Sequence, residues 1–158
     1  MTADSRTRLL NAIEQRSREV FGDVPSRYFF APGRVNLVGA HLDYSGGDVM
    51  PMAIDRGICV GIRLRADDRI RLWSVDQPAA VEVNGSEVGD VADPRWGWGS
   101  YPLGIWRRFS GDHGVRVGFD AVFAGDLAMA SGLSSSAAIE VVTAIALNTL
   151  HDLSLIHI

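Results

Sequence analysis

Apolar residues Leu9, Leu10, Ile13 and Val20 recur at helical spacing among charged neighbours, which predicts an amphipathic helix over the first twenty residues. A short apolar run, Tyr28-Phe29-Phe30-Ala31, is stopped by Pro32-Gly33 and reads as a strand. Residues 50–65 and 69–75 are β-rich and partly alternating, and Ala66-Asp67-Asp68 between them makes the pair read as a hairpin. Residues 79–91 are weakly patterned, and Asp93-Pro94 followed by Trp96-Gly97-Trp98-Gly99 marks a loop. A short helix over 101–109 and a strand over 115–123 follow. The clearest helix runs from Ala137 to about Leu150, with a mostly apolar surface that must be buried. No internal repeat interrupts this order.

Two segments stand apart from the scaffold pattern. In RVNLVGAHLDYSGGDVMP, starting at Arg34, the groups Arg34, Asn36, His41, Asp43 and Tyr44 gather between an apolar run and the Gly46-Gly47 turn. So many different donors and acceptors in one loop suit a polyol, because a carboxylate such as Asp43 accepts two hydroxyl hydrogens in directional, charge-assisted bonds. Each residue also has a plainer reading: Arg34 in a salt bridge, Asp43 capping a turn, His41 a satisfied structural group. The second segment, Ser131-Gly132-Leu133-Ser134-Ser135-Ser136, immediately precedes the apolar helix. Unpaired N–H groups and the helix dipole at such a start can hold phosphate. Gly132 allows close backbone approach, and a serine hydroxyl can ligate Mg²⁺. The plainer reading makes Ser135 or Ser136 an N-cap worth about 1 kcal/mol.

Together, APGRVNLVGAHLDYSGG and SGLSSSAA resemble, in order and spacing, the two signatures of galactokinases within the GHMP family of small-molecule kinases. The resemblance takes in Trp98, Tyr101 and Gly104 and covers nearly the whole chain. It implies an α+β fold, the GHMP kinase N-terminal domain resembling ribosomal protein S5 domain 2, with a C-terminal ferredoxin-like domain missing. It further implies phosphorylation of the anomeric hydroxyl of a galactose-type sugar by MgATP. His41, Asp43 and Tyr44 would then bind sugar, and Arg34 would lie beside the anomeric hydroxyl and transferred phosphate. Gly132, Leu133, Ser134, Ser135 and Ser136 would embrace the ATP phosphates, with Ser136, taken to stand just before the helix, on Mg²⁺. The family's catalytic aspartate falls well past the serine loop, beyond Ile158, so the chain by itself is expected to be inactive.

One position departs from the pattern. Galactokinases usually carry glutamate, which contacts the sugar's C6 hydroxyl, where this chain has Ala40. The missing acceptor costs on the order of 1 to 3 kcal/mol for a ligand that needs it. Galactose remains the first reading. A galacturonate kinase is the alternative, since alanine tolerates a C6 carboxylate, and a non-catalytic sugar and ATP sensor is another.

Charge and composition narrow the partners. Fifteen Lys and Arg against 19 Asp and Glu give a net charge of −4, so the chain offers no long-range attraction for nucleic acid or anionic lipid. Any anion must be held by local geometry. Cys59 is the only cysteine, which excludes an intrachain disulfide. The charged start lacks an apolar signal core, and no stretch approaches the ~18 apolar residues of a membrane span, so a cytoplasmic location is expected. Residues 1–152 read as one truncated domain, and residues 153–158, LSLIHI, as a foreign tail.

Overall fold

The computed structural model describes residues 3–39, 42, 45–90, 93–127 and 134–153. Helix α1 spans Ala3–Phe21, with Asp4 in its first turn and Arg18 in its last, charges that complement the helix dipole. Five strands follow: β1 (Arg27–Val38), β2 (Met50–Leu64), β3 (Arg69–Ser74), β4 (Val81–Asn84) and β5 (Phe119–Gly125). Helix α2 (Ser100–His113) precedes β5, and α3 (Ser135–Leu150) follows it. This is a mixed α+β architecture, as expected.

The strands form one sheet in the order β1-β2-β5-β3-β4. The hairpin expected from residues 50–75 does not form, because β5 inserts between β2 and β3, antiparallel to the first and parallel to the second. Periodicity identified both strands but could not reveal the partner between them. β5 has buried positions on both faces from Phe119 to Ala124, and a strand buried on both sides belongs at a sheet's centre. The Ala66-Asp67-Asp68 turn receives β5 instead: Gly118 N–H donates to Asp67 O at 2.7 Å, and Arg65 N–H to Gly118 O at 3.0 Å. A Cβ on Gly118 would lie 1.9 Å from Arg69 O, so only glycine fits there.

Neither does β1 stop at Pro32-Gly33. It continues to Val38 through a bulge in which Gly33 alone faces Ile54, Asp55 and Arg56 of β2. Proline is tolerated because β1 is an edge strand and needs no outward donor. The strand expected over 115–123 begins later, at Phe119, and the Trp96-Gly97-Trp98-Gly99 loop is a pair of 3₁₀ turns (Pro94–Gly99) broken at Gly97.

Side chains divide by sheet face. Ile58, Val60, Ala121 and Phe123 meet α2 and α3, with Trp106, Leu103, Val142 and Leu147 in that core. Cys59, Val122 and Ala124 meet Ile13 and Phe21 of α1 on the other side. Burial of α3 is incomplete: Val141 and Ile145 stay 49% and 43% exposed, since the sheet and α2 cover only one stripe of the helix. Among the described residues no helix is long and apolar enough to cross a membrane.

Candidate functional site

Ser134 starts α3 in a left-handed conformation (φ 57°, ψ 43°), and its hydroxyl makes no capping bond. Its carbonyl accepts the first helical bond, from Ala138 N–H at 3.0 Å. Ser135 and Ser136 therefore occupy the first two helical positions, which corrects the expectation that Ser136 precedes the helix. The first-turn N–H groups have no partner within the helix and point towards whatever lies before it. Gly132 and Leu133 lie outside the described residues.

A cavity flanks this helix start on each side. The first, about 360 Å³, is lined by Trp98, Ile139 and Phe123 together with the polar residues Ser135, Asp76 and Gln77. Trp98 is fixed by an Nε1–H bond to Ala79 O (2.9 Å) and by edge-on packing on Phe123, with ring centroids 5.6 Å apart. Asp76 accepts a bond from Gly125 N–H at 3.1 Å. This Trp98 slot is mainly apolar with a few polar groups, the composition of a site for a small organic ligand.

The second cavity, about 350 Å³, is a groove between the distal β1-β2 hairpin and α3. Arg34 lines it together with Ser134, Met52 and Ala137. The fold thus brings Arg34 of the first motif to the same groove as Ser134 of the second, a hundred residues on. Arg34 stands opposite Ala53, immediately after the bulge.

Sequence reasoning missed the slot, although Trp98 belonged to the resemblance and could have signalled it. The loop joining β1 to β2 turns on Leu42, whose carbonyl accepts bonds from Ser45 N–H and Gly47 N–H, both at 3.0 Å. Gly39 has φ 82°, and a Cβ there would lie 2.4 Å from Asp48 O. His41, Asp43 and Tyr44, the expected sugar ligands, lie outside the described residues, as does Ala40.

The donor set suits a nucleotide in part. Helix-start N–H groups and serine hydroxyls match phosphate oxygens, and one hard hydroxyl oxygen is an acceptable Mg²⁺ ligand when phosphate and water complete the shell. Among the described residues no group of three or more His, Cys, Asp or Glu side chains could hold a metal by itself.

Comparison with known proteins agrees with this layout. Residues 16–64 match the family model described as the galactokinase galactose-binding signature, and residues 100–157 match that of the GHMP kinases N terminal domain. Over these two segments the chain is similar to the GHMP kinase family. Within it, the chain is 37% identical to a galactokinase of Clostridium tetani over 90% of its own length, and 41% identical to one of Lactiplantibacillus plantarum over 87%. It spans 36% of the length of each of these relatives. The crystal structure of Lactococcus lactis galactokinase complexed with galactose superposes with a TM-score of 0.75 at 33% identity, covering 92% of this chain and 38% of that one. Methanococcus jannaschii mevalonate kinase, at 24% identity and TM-score 0.72 over 82% of this chain and 41% of that one, shares the fold.

Proposed function

We propose that this chain carries the nucleotide-binding and sugar-binding motifs of a sugar 1-kinase, and that the full-length protein transfers the γ-phosphoryl group of ATP to the anomeric hydroxyl of galactose. The observation that carries the reading is the position of the α3 start between the Trp98 slot and the Arg34 groove. Adenine in the slot and phosphates along Ser134, Ser135 and Ser136 would aim the terminal phosphate at Arg34. Phosphoryl transfer depends mainly on positioning and charge stabilisation, and a guanidinium beside the transferred group supplies both. Bound Mg²⁺ would neutralise phosphate charge, with Ser136 as the hydroxyl ligand. His41, Asp43 and Tyr44 would hold the sugar, in a protein of the cytoplasm.

Ala40 favours a second reading, a uronic acid substrate, because the usual glutamate would repel a C6 carboxylate. Steady-state kinetics of the full-length protein on galactose and galacturonate with MgATP test both. Turnover of galactose is expected, with a fall of at least about a hundredfold in kcat for Arg34→Ala. A preference for galacturonate would replace the sugar, and no turnover of either would leave a sensor.

A further inference from the structure

Asp126 is a polar side chain that neither motif contains, and it stands where β5 leaves the sheet towards α3. Its Oδ1 accepts Gly57 N–H of β2 at 2.8 Å, and its Oδ2 accepts the Ser5 hydroxyl of α1 at 2.8 Å. The backbone closes the same junction: Asp126 N–H donates to Gly57 O at 3.2 Å, and Arg56 Nη1 reaches Asp126 O at 3.4 Å. One residue earlier, Gly125 N–H is held by the carboxylate of Asp76, which lines the Trp98 slot. The exit of β5 is therefore gripped by one aspartate on the α1 side and another at the slot. Gly57 makes the grip exclusive, since a Cβ there would lie 2.1 Å from Ala31 O.

We propose that Asp126 is a positioning residue for the nucleotide site, latching α1 and β2 to the stem of the segment that leads into the serine-rich start of α3. The inference rests on the nucleotide reading above. A carboxylate with both oxygens engaged by groups on two different elements fixes the stem in direction as well as place. A stem displaced by about 1 Å carries the phosphate donors out of reach, and misplacements of that size cost up to about a hundredfold in reactions that depend on alignment. The consequence is unexpected from the motifs. Ser5 belongs to α1, which packs on the opposite face of the sheet from α3, yet its hydroxyl takes part in holding the nucleotide.

Asp126 borders an open cavity of about 320 Å³ shared with Arg8 and Arg56, so shortening its side chain creates no clash. The test measures binding of the fluorescent probe mant-ATP with Mg²⁺ to the chain, at a temperature where circular dichroism shows each variant folded. Asp126→Ala is expected to weaken binding about tenfold and Ser5→Ala about threefold, with Asp126→Asn recovering most of the loss because its amide oxygen still accepts Gly57 N–H. Unchanged affinity in folded Asp126→Ala and Ser5→Ala overturns the proposal, even if both melt earlier. Should the wild-type chain not bind mant-ATP, the nucleotide reading fails. Hydrogen exchange then decides the latch by itself: faster exchange confined to the peptide covering residues 125–138 in Asp126→Ala supports it, and exchange equal to wild type overturns it.

Discussion

The two ends of β5 use charge in opposite ways. At the beginning, Asp120 is almost wholly buried and takes Arg71 in a bidentate pair at 2.6 and 2.7 Å, with Arg63 at 2.9 Å and Arg65 at 3.0 Å. Arg63 and Arg65 also hold Asp23 and Asp67, so three arginines meet three aspartates, and Arg71 stacks 4.5 Å from the Phe21 ring. Every charge there is answered within the protein. At the far end, Gly125 and Asp126 stand beside open cavities, and helix-start donors in the first turn of α3 have no helical partner. One strand thus starts in a closed polar cluster and ends beside open cavities, where the proposed nucleotide site lies.

The largest expected effect lies at the closed end. Asp120→Asn leaves three arginines facing an amide whose NH₂ is itself a donor, and breaking a buried ion pair typically costs about 3 to 5 kcal/mol. Urea denaturation should show that loss as a lower midpoint, while the fraction still folded binds mant-ATP as wild type does. Weaker binding in parallel would break the division between the two ends.

Acid sharpens the same contrast. Burial alone would raise the Asp120 carboxyl, but hydrogen bonds from Arg71, Arg63 and Arg65 outweigh it and hold the group below the usual carboxylate range. Asp67, bonded to Arg65, is lowered to about 2. Because these folded-state values are depressed, their stabilisation is present above the ordinary aspartate value of about 3.9 and is lost as pH falls through the lower folded values. Wild-type stability should therefore drop between about pH 4 and pH 2. In Asp120→Asn the fall should be shallower, and an identical slope would remove Asp120 from the titration.

What the sequence made legible follows the range of the interactions. Helices α1 and α3 were readable because a 3.6-residue period is local, and so were β1, β2, β3 and β5 as elements, but β4 (Val81–Asn84) was missed because four residues within the weakly patterned stretch 79–91 carry too little alternation. Partner choice was not readable either: β2 and β3 flank a strand that arrives only after α2, and nothing local in residues 50–75 announces that insertion. The two motifs announced the candidate site because each is a continuous stretch of sequence, and the structure brings Arg34 and Ser134 to one groove. The Trp98 slot and the Asp126 latch escaped notice, since Asp126 meets Ser5 and Gly57 across 121 and 69 positions of sequence. Asp120 escaped for the same reason, reading as an isolated charge in an apolar strand.

The smallest effect, and the one of opposite sign, is expected at Ser134. A non-glycine residue in the left-handed region costs roughly 1 kcal/mol, and such strain persists at functional sites when surrounding structure imposes it. Ser134→Gly removes that strain while adding backbone freedom to the unfolded chain, at about 0.5 to 1 kcal/mol, so stability should stay level or rise slightly. If the strained serine serves phosphate, mant-ATP affinity should nevertheless fall about threefold, from the lost hydroxyl and the looser helix start. Stability and binding would then move apart at this end of the strand, just as Asp120→Asn separates them in the reverse sense at the other. Calorimetric melting and probe titration on the same samples check it. A variant that binds as well as wild type would make Ser134 a helix start and nothing more.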